Sequence, residues 1–112
     1  MNEIDRAWLA GFFEGDGTIR NDSGVKFKYI VISQKDVTIL KYIQKVYQLG
    51  DLKSFRGYQG NTYWRLWMRG SSVRKFYELV RPYMQGYKAH QLDRLSFSLF
   101  PDADIYRSPD SA

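Results

Sequence analysis

The spacing of apolar residues predicts a helix followed by two strands, and then the same order a second time. A further helix closes the chain. The sequence therefore predicts an α+β domain of order αββαββα, with a twisted four-stranded antiparallel sheet and its helices on one face. The predicted helices cover residues 4–14, 36–49, 71–81 and 88–99, and the predicted strands cover residues 18–20, 25–33, 52–58 and 62–69.

Length and composition limit the other possibilities. The 112 residues suffice for one hydrophobic core, so we expect one domain over residues 1–100 and a loose tail, rich in proline and polar residues, over residues 101–112. The absence of cysteine excludes disulfides and zinc–thiolate sites, and a single histidine, His90, excludes sites built on several. No apolar run is long enough to cross a membrane, and the polar N-terminus is unlike a signal peptide. We expect an intracellular protein with no membrane partner, in an organelle or in bacterial or phage cytoplasm.

Basic residues concentrate in the second half of the chain. The formal net charge is +5, and residues 51–100 alone hold nine basic and three acidic residues, a net charge of +6. Such a surface indicates a polyanionic partner, most simply nucleic acid. Charge alone leaves a solvated surface with no such partner as the alternative.

Small residues lie at every fourth position of the first predicted helix. Ala7, Gly11 and Gly15 share one helix face, where the backbone of a second helix can approach closely. Bulky apolar residues on the other faces suit a core. We interpret the small-residue face as an interface with a second helix. The alternative is packing of these glycines against the protein's own sheet.

Asp16 follows at the C-terminal end of the same helix, where the helix dipole disfavours a negative charge. A divalent cation would compensate for this, because Mg²⁺ takes carboxylate and other oxygen ligands. The alternative is a turn aspartate between Gly15 and Gly17.

Residues 9–17 have the sequence LAGFFEGDG, which resembles the LAGLIDADG signature of homing endonucleases. Two phenylalanines replace the aliphatic residues of the signature, and the resemblance extends over about residues 4–99. It implies a site-specific endonuclease that cuts double-stranded DNA by metal-assisted hydrolysis. A chain with one motif implies a homodimer whose motif helices pair through Ala7, Gly11 and Gly15. The positions that match the signature directly are Leu9, Ala10, Gly11, Asp16 and Gly17.

The same resemblance leaves other functions open. The fold also serves as a non-cleaving nucleic-acid-binding module, either an intron maturase with RNA as its partner or a transcription regulator. A dimerising domain without either activity is a third possibility. The acid at Asp16 favours the endonuclease, and the basic and aromatic residues of the sheet argue against a purely structural role.

The resemblance also implies a catalytic centre to which each chain contributes Asp16 as a metal ligand, with Gly15 beside it. The expected cofactor is Mg²⁺, for which Mn²⁺ can substitute. Gln34, at the end of the second predicted strand, is similar to a polar residue that orients water. Lys88, which opens the last helix, is similar to a basic residue that stabilises developing phosphate charge.

This sequence departs from the family pattern at one position of the centre. Some relatives have a basic residue four positions after the glutamine, where Thr38 stands here. Lys35 or Arg74 could replace it. Glu14 points away from Asp16 on a helix, and we assign it a structural role.

Alternate residues of a strand lie on the same face, and one predicted face of the sheet suits DNA. On the fourth strand, Trp64, Leu66 and Met68 suit the core, whereas the intervening residues are aromatic or basic. Such a sheet can lie in a major groove. Lys26 and Lys28 fall on the core side unless a bulge intervenes. The predicted sheet contacts to DNA are Thr18, Arg20, Tyr29, Lys53, Tyr63, Arg65, Trp67 and Arg69, and the predicted phosphate contacts are Lys45, Arg74 and Lys75.

Overall fold

The computed structural model describes residues 2–102, and its elements follow the predicted order. The α+β class, with one antiparallel sheet covered by helices on one face, is confirmed. Within this part of the chain, none of the helices has both the length and the apolarity to cross a membrane. Most of the predicted tail, residues 103–112, lies outside the described residues. The helices are α1 (Glu3–Asp16), α2 (Val37–Tyr47), α3 (Ser71–Val80) and α4 (Tyr87–Leu99), and the strands are β1 (Gly17–Asn21), β2 (Lys28–Gln34), β3 (Asp51–Arg56) and β4 (Thr62–Met68).

The four strands pair in the order β1-β2-β4-β3, so that β2 and β4 lie in the centre of the sheet. In the central ladder, Ile30 lies opposite Met68 and Ile32 lies opposite Leu66. These four side chains are buried on the face that the helices cover. The residues between them point to the other side, which we call the outer face.

One hydrophobic core lies between the helices and the inner face of the sheet. From α1, Leu9 and Phe13 are completely buried, and Phe13 meets the ring of Phe76 edge to face, with 4.8 Å between the ring centroids. Burial of each such side chain stabilises the fold by about 1.5–3 kcal/mol. The predicted core residues Leu66 and Met68 belong to this cluster, and Trp64 packs against its edge.

Two of the predicted strands are wrong at one end. The segment Val25–Phe27 forms a short 3-10 helix, which begins after Gly24 at a φ of +91° that glycine adopts without strain. Lys28 opens β2 and donates a hydrogen bond to Asn21 Oδ1 at 2.7 Å, while Lys26 is exposed. Neither lysine therefore enters the core. A second 3-10 turn, Tyr58–Gly60, takes the place of the end of the third predicted strand.

The helix ends also differ from the prediction. Helix α1 continues through Gly15 to Asp16, and α3 ends at Val80, where a 3-10 turn containing Pro82 follows. Gly70 holds the N-cap position of α3 without a side-chain bond.

Polar side chains connect the helices at their ends. Arg6 of α1 donates from Nε to the carbonyl of Leu79 at 2.8 Å and from Nη2 to the carbonyl of Glu78 at 2.9 Å. It thereby pairs the last carbonyls of α3, which have no partner within the helix. Tyr47 of α2 donates to the carbonyl of Asp5 at 3.2 Å, and burial followed by the charge of Asp5 raises the pKa of its hydroxyl.

An ion pair joins the end of α3 to α4. Arg81, which is only 8% exposed, donates to Asp93 from Nε to Oδ1 at 2.7 Å and from Nη2 to Oδ2 at 3.0 Å. The hydroxyl of Tyr77 donates to the same Oδ1 at 2.8 Å. The planar fork of the guanidinium matches the carboxylate, so this pair has a defined geometry.

We expect Asp93→Ala to lower the free energy of unfolding by about 2–4 kcal/mol, because it leaves the charge of Arg81 buried without its partner. Urea unfolding followed by circular dichroism measures the change. Asp22→Ala is the control, since it breaks the pair with Arg20, in which both side chains are 55% exposed, and should cost less than about 1 kcal/mol. Equal losses in the two variants would contradict the assignment.

Candidate functional site

Asp16 is the last residue of α1, and its exposed carboxylate lies beside the end of β2. The side-chain amide of Gln34 donates from Nε2 to Asp16 Oδ2 at 2.9 Å. The two residues meet because β1 begins directly after Asp16 and pairs Gly17 with Ile32 of β2. The fold thus brings together two of the three predicted catalytic residues in direct contact.

Gly17 permits this junction between helix and strand. A Cβ atom built at Gly17 would lie 2.1 Å from the ring of Phe13, which is buried in the core. Any larger residue here would therefore displace either the Phe13 ring or the start of β1.

Lys88, in the first turn of α4, points to the C-terminal end of α1. Its Nζ donates to the carbonyl oxygens of Glu14 at 2.8 Å and of Phe13 at 3.4 Å. The Phe13 carbonyl also accepts a hydrogen bond from the backbone N–H of Gly17, and the negative end of the helix dipole stabilises a positive charge at the helix C-terminus. Lys88 therefore holds the helix end that carries Asp16.

Glu14 connects the same two elements through its side chain. Its Oε1 accepts a hydrogen bond from the backbone N–H of Gln85 at 2.9 Å, just before α4 begins. This contact is the structural role that the sequence predicts for Glu14. Together with Lys88, it anchors the end of α1 to the start of α4.

The oxygen donors at the end of α1 suit a hard divalent cation. Asp16 provides an exposed carboxylate, and the neighbouring Gly15 and Gln34 provide a backbone and an amide oxygen. Mg²⁺ commonly takes one or two protein carboxylates and completes its shell with phosphate oxygens and water, so these residues fit it. Among the described residues, no three His, Cys, Asp or Glu side chains group closely enough to hold a metal ion.

Ala7, Gly11 and Gly15 lie on an exposed face of α1. A Cβ atom built on Gly11 or Gly15 would meet no atom within 4 Å, so neither glycine is needed for packing inside the chain. The alternative that they pack against the protein's own sheet is therefore wrong. The same helix exposes 79% of Ile4 and 43% of Trp8.

The outer face of the sheet carries basic side chains in contact with aromatic rings. The guanidinium carbon of Arg65 lies 3.7 Å from the ring centroid of Phe55. That of Arg69 lies 5.1 Å from the centroid of Trp67 and 5.2 Å from that of Tyr29. Strand register brings seven of the eight predicted sheet contacts to this face, and the contacts of Arg69 with Tyr29 and Trp67 bring the eighth: Thr18, Arg20, Tyr29, Lys53, Tyr63, Arg65, Trp67 and Arg69.

The three predicted phosphate contacts are not brought to the outer face. Lys45 lies on α2, and Arg74 and Lys75 lie on α3, in the layer of helices. Lys75 donates to the carbonyl of Gln48 at 3.5 Å, and Arg74 pairs with Glu78 at 3.0 Å. The sequence shows that these residues are basic, but it does not show in which layer of the fold their helices lie.

Thr38, which stands where some relatives have a basic residue, takes part in the N-terminal cap of α2. Its backbone N–H donates to Asp36 Oδ1 at 2.9 Å at the start of α2. Of the two replacements considered, Lys35 lies over the ring of Tyr63 at 5.5 Å on the sheet side, whereas Arg74 belongs to α3.

The outer face includes two residues of β3 that are absent from the predicted set. Phe55 stacks on Tyr63 with 5.4 Å between the centroids, and Asp51 lies opposite Trp67. Both lie two positions from Lys53 on β3 and so share its face, and this alternation in the sequence could have identified them.

A family model and a known protein both match this chain. Residues 3–81 match the model of a LAGLIDADG-like domain. Reverse gyrase of Thermococcus kodakarensis is 28% identical over 117 aligned residues, which cover 93% of this chain and 7% of the relative. The chain thus spans only a small part of that relative's length.

Solved structures of homing endonucleases resemble the fold. I-CvuI, in complex with the I-CreI target, is 25% identical, with a TM-score of 0.58 and coverage of 80% of this chain and 62% of that one. I-Vdi141I, an archaeal intron-encoded homing endonuclease complexed with DNA, is 17% identical, with a TM-score of 0.62 and coverage of 96% and 90%. The second likeness concerns the fold alone.

Lys88→Met should lower the free energy of unfolding by about 1–2 kcal/mol, because it removes a charged donor from the last carbonyls of α1. Thermal and urea unfolding measure the loss. Arg94→Met, an exposed substitution on the same helix, is the control and should change stability by less than about 0.5 kcal/mol. Equal stability of Lys88→Met and the unmodified chain would show that the lysine does not support α1.

Proposed function

This chain belongs to the LAGLIDADG-like domain family, and we propose that it is a site-specific endonuclease that cuts double-stranded DNA as a homodimer. The reaction is metal-assisted hydrolysis of phosphodiester bonds. The observation that carries the proposal is the contact between Gln34 and the exposed carboxylate of Asp16 at the end of the motif helix.

The expected cofactor is Mg²⁺, which Asp16 would hold with the carbonyl of Gly15 beside it, and Mn²⁺ would substitute. When bound, the cation polarises the phosphate and promotes ionisation of a water molecule. One carboxylate per chain leaves most of the coordination shell to phosphate oxygens and water, as is usual for Mg²⁺.

Gln34 and Lys88 support the reaction in different ways. The amide N–H of Gln34 holds one oxygen of Asp16, and its own amide oxygen is an acceptor that can orient water. Lys88 keeps a positive charge at the end of α1, where it would stabilise negative charge that develops on the phosphate.

Homodimer formation follows from the need to cut two strands. The exposed stripe of Ala7, Gly11 and Gly15 allows two copies of α1 to pack with their backbones close together. Because Asp16 ends this helix, pairing of the helices would bring two such carboxylates together near the axis of symmetry. A cation would relieve their repulsion.

The outer face of the sheet is the proposed DNA-binding surface. Its aromatic and basic side chains suit a major groove, where arginine pairs with guanine and aromatic rings contact thymine methyl groups. Arg65 and Trp67 lie on β4, one of the two central strands, and Arg69 follows its end. A duplex laid across the sheet would pass closest to these central positions.

Asp16→Asn should abolish cleavage in Mg²⁺ and preserve DNA binding in Ca²⁺, because the variant keeps the hydrogen bond to Gln34 but loses the charge that holds the cation. A cleavage selection on a randomised DNA library measures the first effect, and a binding selection in Ca²⁺ measures the second. Asp102→Asn, in an exposed turn, is the control that should cleave normally. Cleavage by Asp16→Asn would remove Asp16 as the ligand. A wild-type chain that binds DNA but never cuts would favour the binding module.

Gly11→Leu should convert the proposed dimer into a monomer, because a Cβ atom at this position has no neighbour within 4 Å in its own chain, whereas a leucine side chain would separate two paired helices. Light scattering would report half the mass. The monomer should remain folded, since glycine is less favourable in a helix than alanine by about 0.8–1.0 kcal/mol and leucine ranks close to alanine. Ser98→Leu, exposed on α4, should leave the mass unchanged. An unchanged mass for Gly11→Leu would exclude this stripe as the interface.

A further inference from the structure

The two central arginines of the outer face rest on different sets of rings. Arg65 has its guanidinium carbon 3.7 Å from the Phe55 centroid, whereas Trp67 is farther away at 5.8 Å. The guanidinium carbon of Arg69 lies 5.2 Å from the Tyr29 centroid and 5.1 Å from that of Trp67, and these two centroids are 4.8 Å apart. Each arginine therefore has a ring of its own, Phe55 for Arg65 and Tyr29 for Arg69.

The ring beneath Arg65 is itself braced. Phe55 stacks on Tyr63 with an interplanar angle of 25°. The far edge of Tyr63 meets the backbone at Gly57, where an added Cβ atom would lie 2.5 Å from the ring. Both rings are half-buried, so Phe55 has little room to move away from Arg65.

A ring held in this way restricts the arginine that lies on it. A guanidinium is planar and stacks on aromatic faces, and its N–H groups then point outward along the plane of the stack. Ordering the side chain before DNA arrives reduces the cost of binding. It also favours the two-bond contact with guanine O6 and N7 over looser contacts with other bases.

We propose that Phe55 is a positioning residue that makes Arg65 specific for guanine, and that Tyr29 does the same for Arg69. This inference rests on the proposed DNA-binding function and names its substrate more closely. Arg65 lies on β4 and Arg69 directly follows its end, so the two are four positions apart, which corresponds to about 14 Å of extended chain at about 3.4 Å per residue. Base pairs repeat at about 3.4 Å along the axis and at a longer distance along the spiralling groove, so the half-site carries two guanines about three to four base pairs apart when β4 follows the groove.

Binding selections on a randomised double-stranded DNA library in Ca²⁺ test the proposal with the full chain. Arg65→Ala and Arg69→Ala first identify the base pair that each arginine contacts. A two-bond contact gives a guanine preference of roughly 10- to 100-fold. We expect Phe55→Leu to reduce this to less than about threefold at the Arg65 base pair and to leave the Arg69 base pair unchanged. Tyr29→Leu should produce the reverse pattern. Phe55→Tyr, which keeps an aromatic ring, should retain the guanine preference at the Arg65 base pair.

The pattern across base pairs separates positioning from a general loss of structure. A full guanine preference in Phe55→Leu, or an equal loss at both base pairs, overturns the proposal. Gly57→Ala is a second variant, which pushes Tyr63 against Phe55 without changing either partner of the stack, and it should lower the preference at the Arg65 base pair only. A wild-type chain that selects two guanines but does not cleave would overturn the endonuclease function alone. One that selects no guanine at either base pair overturns this inference.

Discussion

The anchored C-terminal end of α1 is the constraint on which the rest of the site depends. Phe13 holds the helix in the core, Gly17 lets β1 begin at once, and Lys88 and Glu14 attach the helix end to α4. These contacts leave Asp16 exposed beside Gln34, instead of buried against the sheet. An acid at a helix C-terminus is unfavourable by itself, and the ammonium group of Lys88 offsets this within the chain. The cation of the proposed reaction would offset it further.

The opposite side of the sheet is organised by a different principle. Because side chains alternate, the residues that fill the core on one face necessarily leave the intervening residues on the other. Here several of the intervening residues are aromatic rings and arginines that contact one another. The outer face and the site at the end of α1 meet at the end of β2, where Gln34 contacts Asp16 and Lys35 lies over Tyr63. A DNA duplex on the outer face would therefore lie close to the proposed catalytic end of α1.

Local pattern predicts most of this fold and part of the site. The periodicity of apolar residues yields the order of the elements, and the parity of β4 places Arg65 and Trp67 on the outer face, because both depend only on near neighbours in the chain. The strand ends at Val25–Phe27 and Tyr58–Gly60 are predicted wrongly, since the β-forming residues Val25, Phe27 and Tyr58 make these 3-10 turns resemble strands in sequence. The contact of Phe55 with Arg65 is also not predicted, because it depends on the register of β3 with β4.

The sequence by itself determined the αββαββα order, the small-residue stripe of α1 and the position of Asp16 at its end, because these depend on spacings within single elements. Only the tertiary structure decided which residues meet. It brought Gln34 to Asp16 and Lys88 to the end of α1, placed Phe55 under Arg65, and kept Lys45, Arg74 and Lys75 in the layer of helices. The physical reason is that such contacts join residues far apart in the chain. Their distances follow from how the sheet and helices pack, which no local spacing encodes.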